Sequence, residues 1–264
     1  MELDDLNLKL GRRTDEDSLD PIPRARRGTN PALPRYGHDL WNAWEVGYLE
    51  PGGRPTAWRM QCIYGADTPR IVESKSFKLF LNARNHETYP SRAAFEARLR
   101  TDLQACVGGP VDLRFYAPEA SPGARKLRGI CIDQATGRGF SSHYDPGLLQ
   151  TRRSATAAFR LHSHLLRSLC PVTAQPDWGA VEIEGRGLRH PEPAALLAYI
   201  VGLRNHRDFH EACCERIYAD LYAALKPERL TVRCSYTRRG GLDISPVRSS
   251  YPDPERLRES VWRQ

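Results

Sequence analysis

Residues 168–185, SLCPVTAQPDWGAVEIEG, decide the fold. They read as the end of one strand, a loop and a second strand, because Pro171 cannot continue a backbone ladder and so ends the first strand at the cysteine. Helical stretches follow at about 192–203 and 207–225, and ERLTVRCSY (228–236) closes as a strand. The first half of the chain runs in the same order. AWEVGYLE (43–50) and AWRMQCIYG (57–65) read as strands around a Gly-Gly-Arg-Pro turn, helices span about 74–84 and 91–106, and VDLRFY (111–116) is a strand. Arg84-Asn85-His86 recurs as Arg204-Asn205-His206, each time between the paired helices. This internal repeat predicts an α+β fold of two tandem modules, each an antiparallel sheet with a pair of helices on one face.

The implied layout is an extended, Pro- and Arg-rich lead-in over 1–35 that drapes over the fold, an N-terminal module over 36–118, a Gly-, Ser- and Arg-rich linker over 119–155, and a C-terminal module over 156–264. One helical layer leaves each sheet with a second face and open edges. Such domains cover these by assembling with other copies, and a homodimer is expected.

A chain of 264 residues has room for one large domain or two smaller ones without staples. The seven cysteines are odd in number and scattered, with no CxxC pair, so neither a disulfide framework nor a zinc ribbon is signalled and a reducing compartment fits best. The N-terminus lacks the basic and apolar regions of a secretory signal, and the longest uncharged apolar stretch, AALLAYIVGL (194–203), is too short for a bilayer. A soluble, cytoplasmic protein with no membrane partner is expected. The net charge of +7 suits a polyanion or a phosphorylated nucleotide. The basic residues are spread along the chain and no RNA- or DNA-binding signature occurs, so direct nucleic-acid binding is not expected.

Several side chains could carry chemistry. Cys170, at a strand end facing a loop, can reach a ligand as a core thiol cannot, although free cysteines are commonly just buried. Glu73 and Ser74 open the first helix pair where orphan amide hydrogens favour an anion or a polar cap; simple capping, with Phe77 and Phe80 in the core and Lys75 and Lys78 solvated, reads equally well. In Asp208-Phe209-His210-Glu211 an imidazole and a carboxylate sit side by side near a helix start, and could line a pocket or merely complement the helix dipole. Arg238-Arg239-Gly240-Gly241 combines a phosphate-gripping guanidinium with flexible backbone, or is a plain Gly-Gly turn. His162 and His164 share one face of a strand and read as a surface or interface pair. Cys213 and Cys214 point apart on one helix and give no zinc spacing. The dinucleotide fingerprint GxGxxG, the nucleophile elbow and the P-loop are all missing from the sequence.

ESKSFKLFLN from Glu73, SLCPVTAQPDWG from Ser168, RNHRDFHEACCERI from Arg204 and YTRRGGLDISPVRSS from Tyr236 together resemble the long, two-module NADPH-dependent 7-cyano-7-deazaguanine reductases, the nitrile reductases of queuosine biosynthesis. The resemblance implies the tunnelling fold, in which strands backed by helix pairs assemble into barrels and sites form between modules. It implies that Cys170 attacks the nitrile carbon to give a covalent thioimide, that Asp177 donates a proton, and that His210 assists. It implies that Val72, Glu73, Ser74, Phe209, His210 and Glu211 bind the deazaguanine, that Ser74, Lys75, Arg239 and Gly240 contact NADPH, and that no metal is needed. Ser245 and Val247 depart from residues common in relatives, which touches local packing only.

Overall fold

The computed structural model describes residues 18–24, 34–136, 139–154, 158–252 and 259–264. Its strands are β1 (Pro21–Pro23), β2 (Tyr36–Val46), β3 (Trp58–Gly65), β4 (Arg70–Val72), β5 (Val111–Tyr116), β6 (Ile130–Cys131), β7 (Thr151–Arg153), β8 (Ala158–Leu169), β9 (Pro176–Arg186), β10 (Arg189–Pro191), β11 (Arg229–Tyr236) and β12 (Leu242–Ser249). The helices are α1 (Ser74–Arg84), α2 (Arg92–Val107), α3 (Pro193–Gly202) and α4 (His210–Leu225). None of the described helices is long and apolar enough to cross a membrane.

Eight strands form one sheet in the order β5-β3-β2-β12-β11-β9-β8-β6, antiparallel apart from the short β6–β8 pair. The two halves meet inside this sheet. β12 runs beside β2 from Leu242↔Ala43 to Ser249↔Tyr36, so the ladder continues from one half into the other. Two small ribbons, β1–β4 and β10–β7, lie outside it.

The core follows from strand alternation. Trp41 and Ala43, Met60 and Cys62, Val181 and Ile183, Val232 and Cys234, and Leu242 and Ile244 belong to one apolar cluster; each pair is two residues apart on its strand and therefore on one face. Phe77, Phe80, Leu99, Leu103, Leu196, Ile200, Ile217 and Leu221 bring all four of the described helices onto that face. The repeat is visible in the caps as well. Glu73 and Glu192 both cap the first helix of their half, each accepting from two backbone N–H groups.

The other face is polar and still buried. Asn42 accepts from Arg59 Nη2 (2.9 Å) and donates to Asp243 Oδ1 (2.6 Å), while Gln264 donates to Ser245 Oγ (2.8 Å). Arg125 forks onto Glu182 with two bonds of 2.7 Å. The chain's own 121–125 and 260–264 segments thus lie against a face that the sequence left for another copy. Buried polar groups need partners wherever they come from, and local chain supplies them here.

Three strand readings change. β2 starts at Tyr36 and ends at Val46, because its partner β12 extends that far and a bulge between Ala43 and Val46 breaks the ladder. β12 was not expected as a strand at all, since Pro246 lies in its middle. The β11–β12 ladder covers only Val247, Arg248 and Ser249, so the proline falls where that pairing has stopped and its missing N–H costs nothing there. The linker expected over 119–155 contains β6 and β7, buries Ile132 in the core and ties Tyr144 Oη to Asp220 (2.7 Å). Of the lead-in over 1–35, residues 18–24, 34 and 35 are described; β1 pairs with β4, and Arg24 reaches the buried Asp39. The rest of that stretch lies outside the described residues.

Candidate active site

β8 and β9 form a hairpin whose mouth is Cys170–Gln175, closed by Cys170 N–H donating to the Gln175 carbonyl (2.9 Å). Asp177 pairs with Ser168 two steps inside it. The spacing between Cys170 and Asp177 is therefore the length of this loop, and the hairpin brings the two together. On its other side Leu169 accepts from Asp208 N–H (3.2 Å) and donates to the His206 carbonyl (2.8 Å). That tie draws the start of α4, with His210 and Glu211, against the cysteine.

From the first half, α1 points its N-terminus at the same place. Glu73 caps it, Oε1 accepting from Lys75 N–H (2.9 Å) and Oε2 from Ser76 N–H (2.7 Å). Asp20 from the lead-in holds this end: its carbonyl accepts from Glu73 N–H (2.9 Å), and its own N–H donates to Ser76 Oγ (3.0 Å). The capping reading of this segment holds, with the Glu73 carboxylate as the cap. Phe77 and Phe80 are core, as read, and Lys75 and Lys78 are exposed.

A cavity of about 650 Å³ opens between the halves, lined by Glu73, Ser74, Lys75, Cys170, His210, Arg239 and Gly240 among others. A narrow recess continues from it past Val72, Asp177, Phe209 and Glu211. Every residue that the resemblance singled out, Val72, Glu73, Ser74, Lys75, Cys170, Asp177, Phe209, His210, Glu211, Arg239 and Gly240, lines one or both. Cys170 is half-buried and free, and reaches both spaces.

The charges are arranged in two groups. Asp177 is 2% exposed and sits between His210 Nε2 (3.4 Å) and the Arg239 guanidinium. Burial pushes its carboxyl up, but the hydrogen bonds and positive charge of His210 and Arg239 outweigh that and hold it below the ordinary carboxylate range. Arg239 also donates to Gln175, so it bridges the cysteine loop and the acid. Glu211 is the opposite case. Burial first, then the negative charge of Asp39, push its carboxyl up to about 7, against the pull of His210 and Arg24. Among the described residues its buried Oε1 has no hydrogen-bond partner.

Gly240 and Gly241 have φ of 59° and 82° and close the turn in which Arg239 N–H donates to Leu242 O (2.8 Å). The Gly-Gly turn is real and it also borders the cavity: a Cβ on Gly240 would stand 2.3 Å from Lys78 Nζ. Trp41, Gln175 and Tyr236 line the site too and were not read as site residues, and Lys78, read only as a solvated lysine, joins them. Lys78 was legible, since it lies one helical turn beyond Ser74 and so on the same side of α1.

A family model described as "Nitrile reductase, 7-cyano-7-deazaguanine-reductase N-term" matches residues 12–115, and one described as "QueF-like protein" matches residues 176–255. The NADPH-dependent 7-cyano-7-deazaguanine reductase of Bordetella pertussis (strain Tohama I) is 43% identical over 243 residues, which are 90% of this chain and 89% of that one. The solved apo archaeosine synthase QueF-Like is similar over 38% of this chain at 19% identity, with a TM-score of 0.33 that adds nothing to the assignment. The match to the Bordetella enzyme over nearly the full length of both chains places this protein in the NADPH-dependent 7-cyano-7-deazaguanine reductase family.

Proposed function

We propose that this chain reduces the nitrile of 7-cyano-7-deazaguanine to the primary amine 7-aminomethyl-7-deazaguanine, a four-electron reduction by NADPH in tRNA queuosine biosynthesis, through a thioimide on Cys170. The observation that carries the reading is Glu211 Oε1, a buried acceptor without a partner among the described residues, in the recess that holds Cys170 and Asp177. A guanine-like edge presents N–H donors, and an unsatisfied buried carboxylate is built to take them. Val72, Ser74 and Phe209 border the heterocycle's space, and Glu73, already committed to its cap, accepts further only through remaining lone pairs.

Asp177 is held ionised and so is ready to take the Cys170 thiol proton. The sulfur then bonds to the nitrile carbon, one carbon–nitrogen π bond breaks toward nitrogen, and Asp177 returns the proton to that nitrogen. Charge and atoms balance in that step, and His210 beside Asp177 stabilises the carboxylate at both ends of it.

The basic rim of the cavity fits a dinucleotide's phosphates: Lys75, Lys78 and Arg239 line it with Gly240, and Lys78 lies against the Gly240 backbone where a side chain would stand. NADPH, bound there, supplies a hydride for each of the two reductions. No metal takes part in this reading, and the free base, not tRNA, is the partner. The protein acts in the cytoplasm as a homodimer, a state supported by the uncovered edges at β5 and β6 and by exposed Ile130, Phe140 and Leu188.

Steady-state oxidation of NADPH tests the reading. Two equivalents should be consumed per nitrile and none without it; consumption that ignores the nitrile contradicts it.

A further inference from the structure

Away from the cavity, the 119–136 segment crosses the outer end of β8, and β6 pairs with β8 so that Cys131 stands beside His162. Cys131, His162 and His164 each offer one ligand atom, and the three atoms lie within 4.8 Å of one another. None of them lines the cavity or recess of the nitrile site.

The surroundings prepare the two imidazoles as ligands. His162 Nδ1 is 3.0 Å from the Arg128 carbonyl, which can only accept; Nδ1 therefore carries the hydrogen, and Nε2 keeps its lone pair. His164 packs against His162 and Trp262, with centroids at 5.4 and 5.8 Å, and its buried Nδ1 has no hydrogen-bond partner. Asp133 clamps the loop in place, accepting from Ser163 Oγ (2.6 Å) and from His164 N–H (3.1 Å).

We propose that Cys131, His162 and His164 form a zinc site that clips the 119–136 segment to β8. One thiolate and two imidazoles suit zinc's borderline softness, and three protein ligands leave the fourth position to water. A tetrahedral ion sets one sulfur and two nitrogens about 3.3–3.6 Å apart, within reach of atoms that already lie within 4.8 Å of one another, one of them on the exposed Cys131. The thiol proton passes to solvent when the metal binds. The clip serves the fold: β6 is two residues long, and a metal joining Cys131 to His162 and His164 closes the connection between β6 and β8 and stabilises the folded chain that binds it.

Cobalt(II) reads the site directly. Full-length protein carrying Cys170→Ala, which removes the half-buried thiol of the cavity, is stripped with chelator and titrated with cobalt(II). The expected result is saturation at one metal per chain, with a thiolate-to-cobalt charge-transfer band that zinc displaces. Cys131→Ser in that background loses the band and His164→Ala weakens binding at least about tenfold. Because Cys131 is exposed, the serine leaves the fold intact, which far-ultraviolet circular dichroism checks. Zinc should also raise the melting temperature of the parent and not of the serine variant. A titration without a charge-transfer band, or a band that survives Cys131→Ser, overturns the proposal.

Discussion

Glu211 is the residue on which pH acts. Its carboxyl is raised to about 7 in the folded chain and returns to the ordinary carboxylate range on unfolding, so the folded state holds the extra proton between those values. Stability from this group is complete below the unfolded value and is lost as pH rises through 7. Urea titrations at pH 5 and pH 8 should differ by about 1–3 kcal/mol in wild type, and Glu211→Gln should remove most of that slope. If the ionised carboxylate takes the substrate's N–H donors, KM for the nitrile should fall as pH rises from 6 to 8; a flat profile would speak against that pairing. Asp177 is lowered instead, so its ion pairs add stability that is present above the unfolded carboxylate value and is lost only in acid. Asp177→Asn should reduce kcat by about 10²–10⁴ with a much smaller change in KM, the mark of an interaction made in the transition state.

At the scale of elements, the β8–β9 hairpin, the start of α4 and the start of α1 converge, and the β11–β12 turn closes over them. Gly240 holds a left-handed φ and lies against Lys78, so Gly240→Ala should raise KM for NADPH several-fold while the KM for nitrile changes little; initial rates with each substrate varied decide it. Legibility in the sequence follows locality. Cys170 could be read from the proline that ends its strand, whereas the role of Asp177 came only through the resemblance; the helix pairs could be read because apolar spacing and the repeated Arg-Asn-His mark them. β12 could not, because Pro246 argues against a strand unless the neighbouring register is known. The cap role of Glu73 was open to reading, whereas the Arg239 bridge from Gln175 to Asp177 depends on two loops far apart in sequence.

For the whole molecule, the β2–β12 ladder makes the two halves one sheet, and a buried charge network crosses the same seam. Arg248 donates to Asp39 Oδ1 (2.7 Å) and Glu215 Oε1 (2.9 Å), and Arg24 from the lead-in completes the set around Asp39. Removing one partner of such a group leaves charge unpaired in the interior. Arg248→Met should cost about 3–5 kcal/mol in urea unfolding. Because Asp39 is also the main charge raising Glu211, the seam and the recess that holds Glu211 are electrically linked. No short-range pattern could have shown this: Arg24, Asp39, Glu215 and Arg248 meet only once the strands are in register. The measurement that bears most directly on the whole account is the intact mass of the protein mixed with 7-cyano-7-deazaguanine and no NADPH. One substrate mass should be added per chain, mapped to Cys170 and lost in Cys170→Ala; an unmodified protein, or an adduct on a different cysteine, would contradict it.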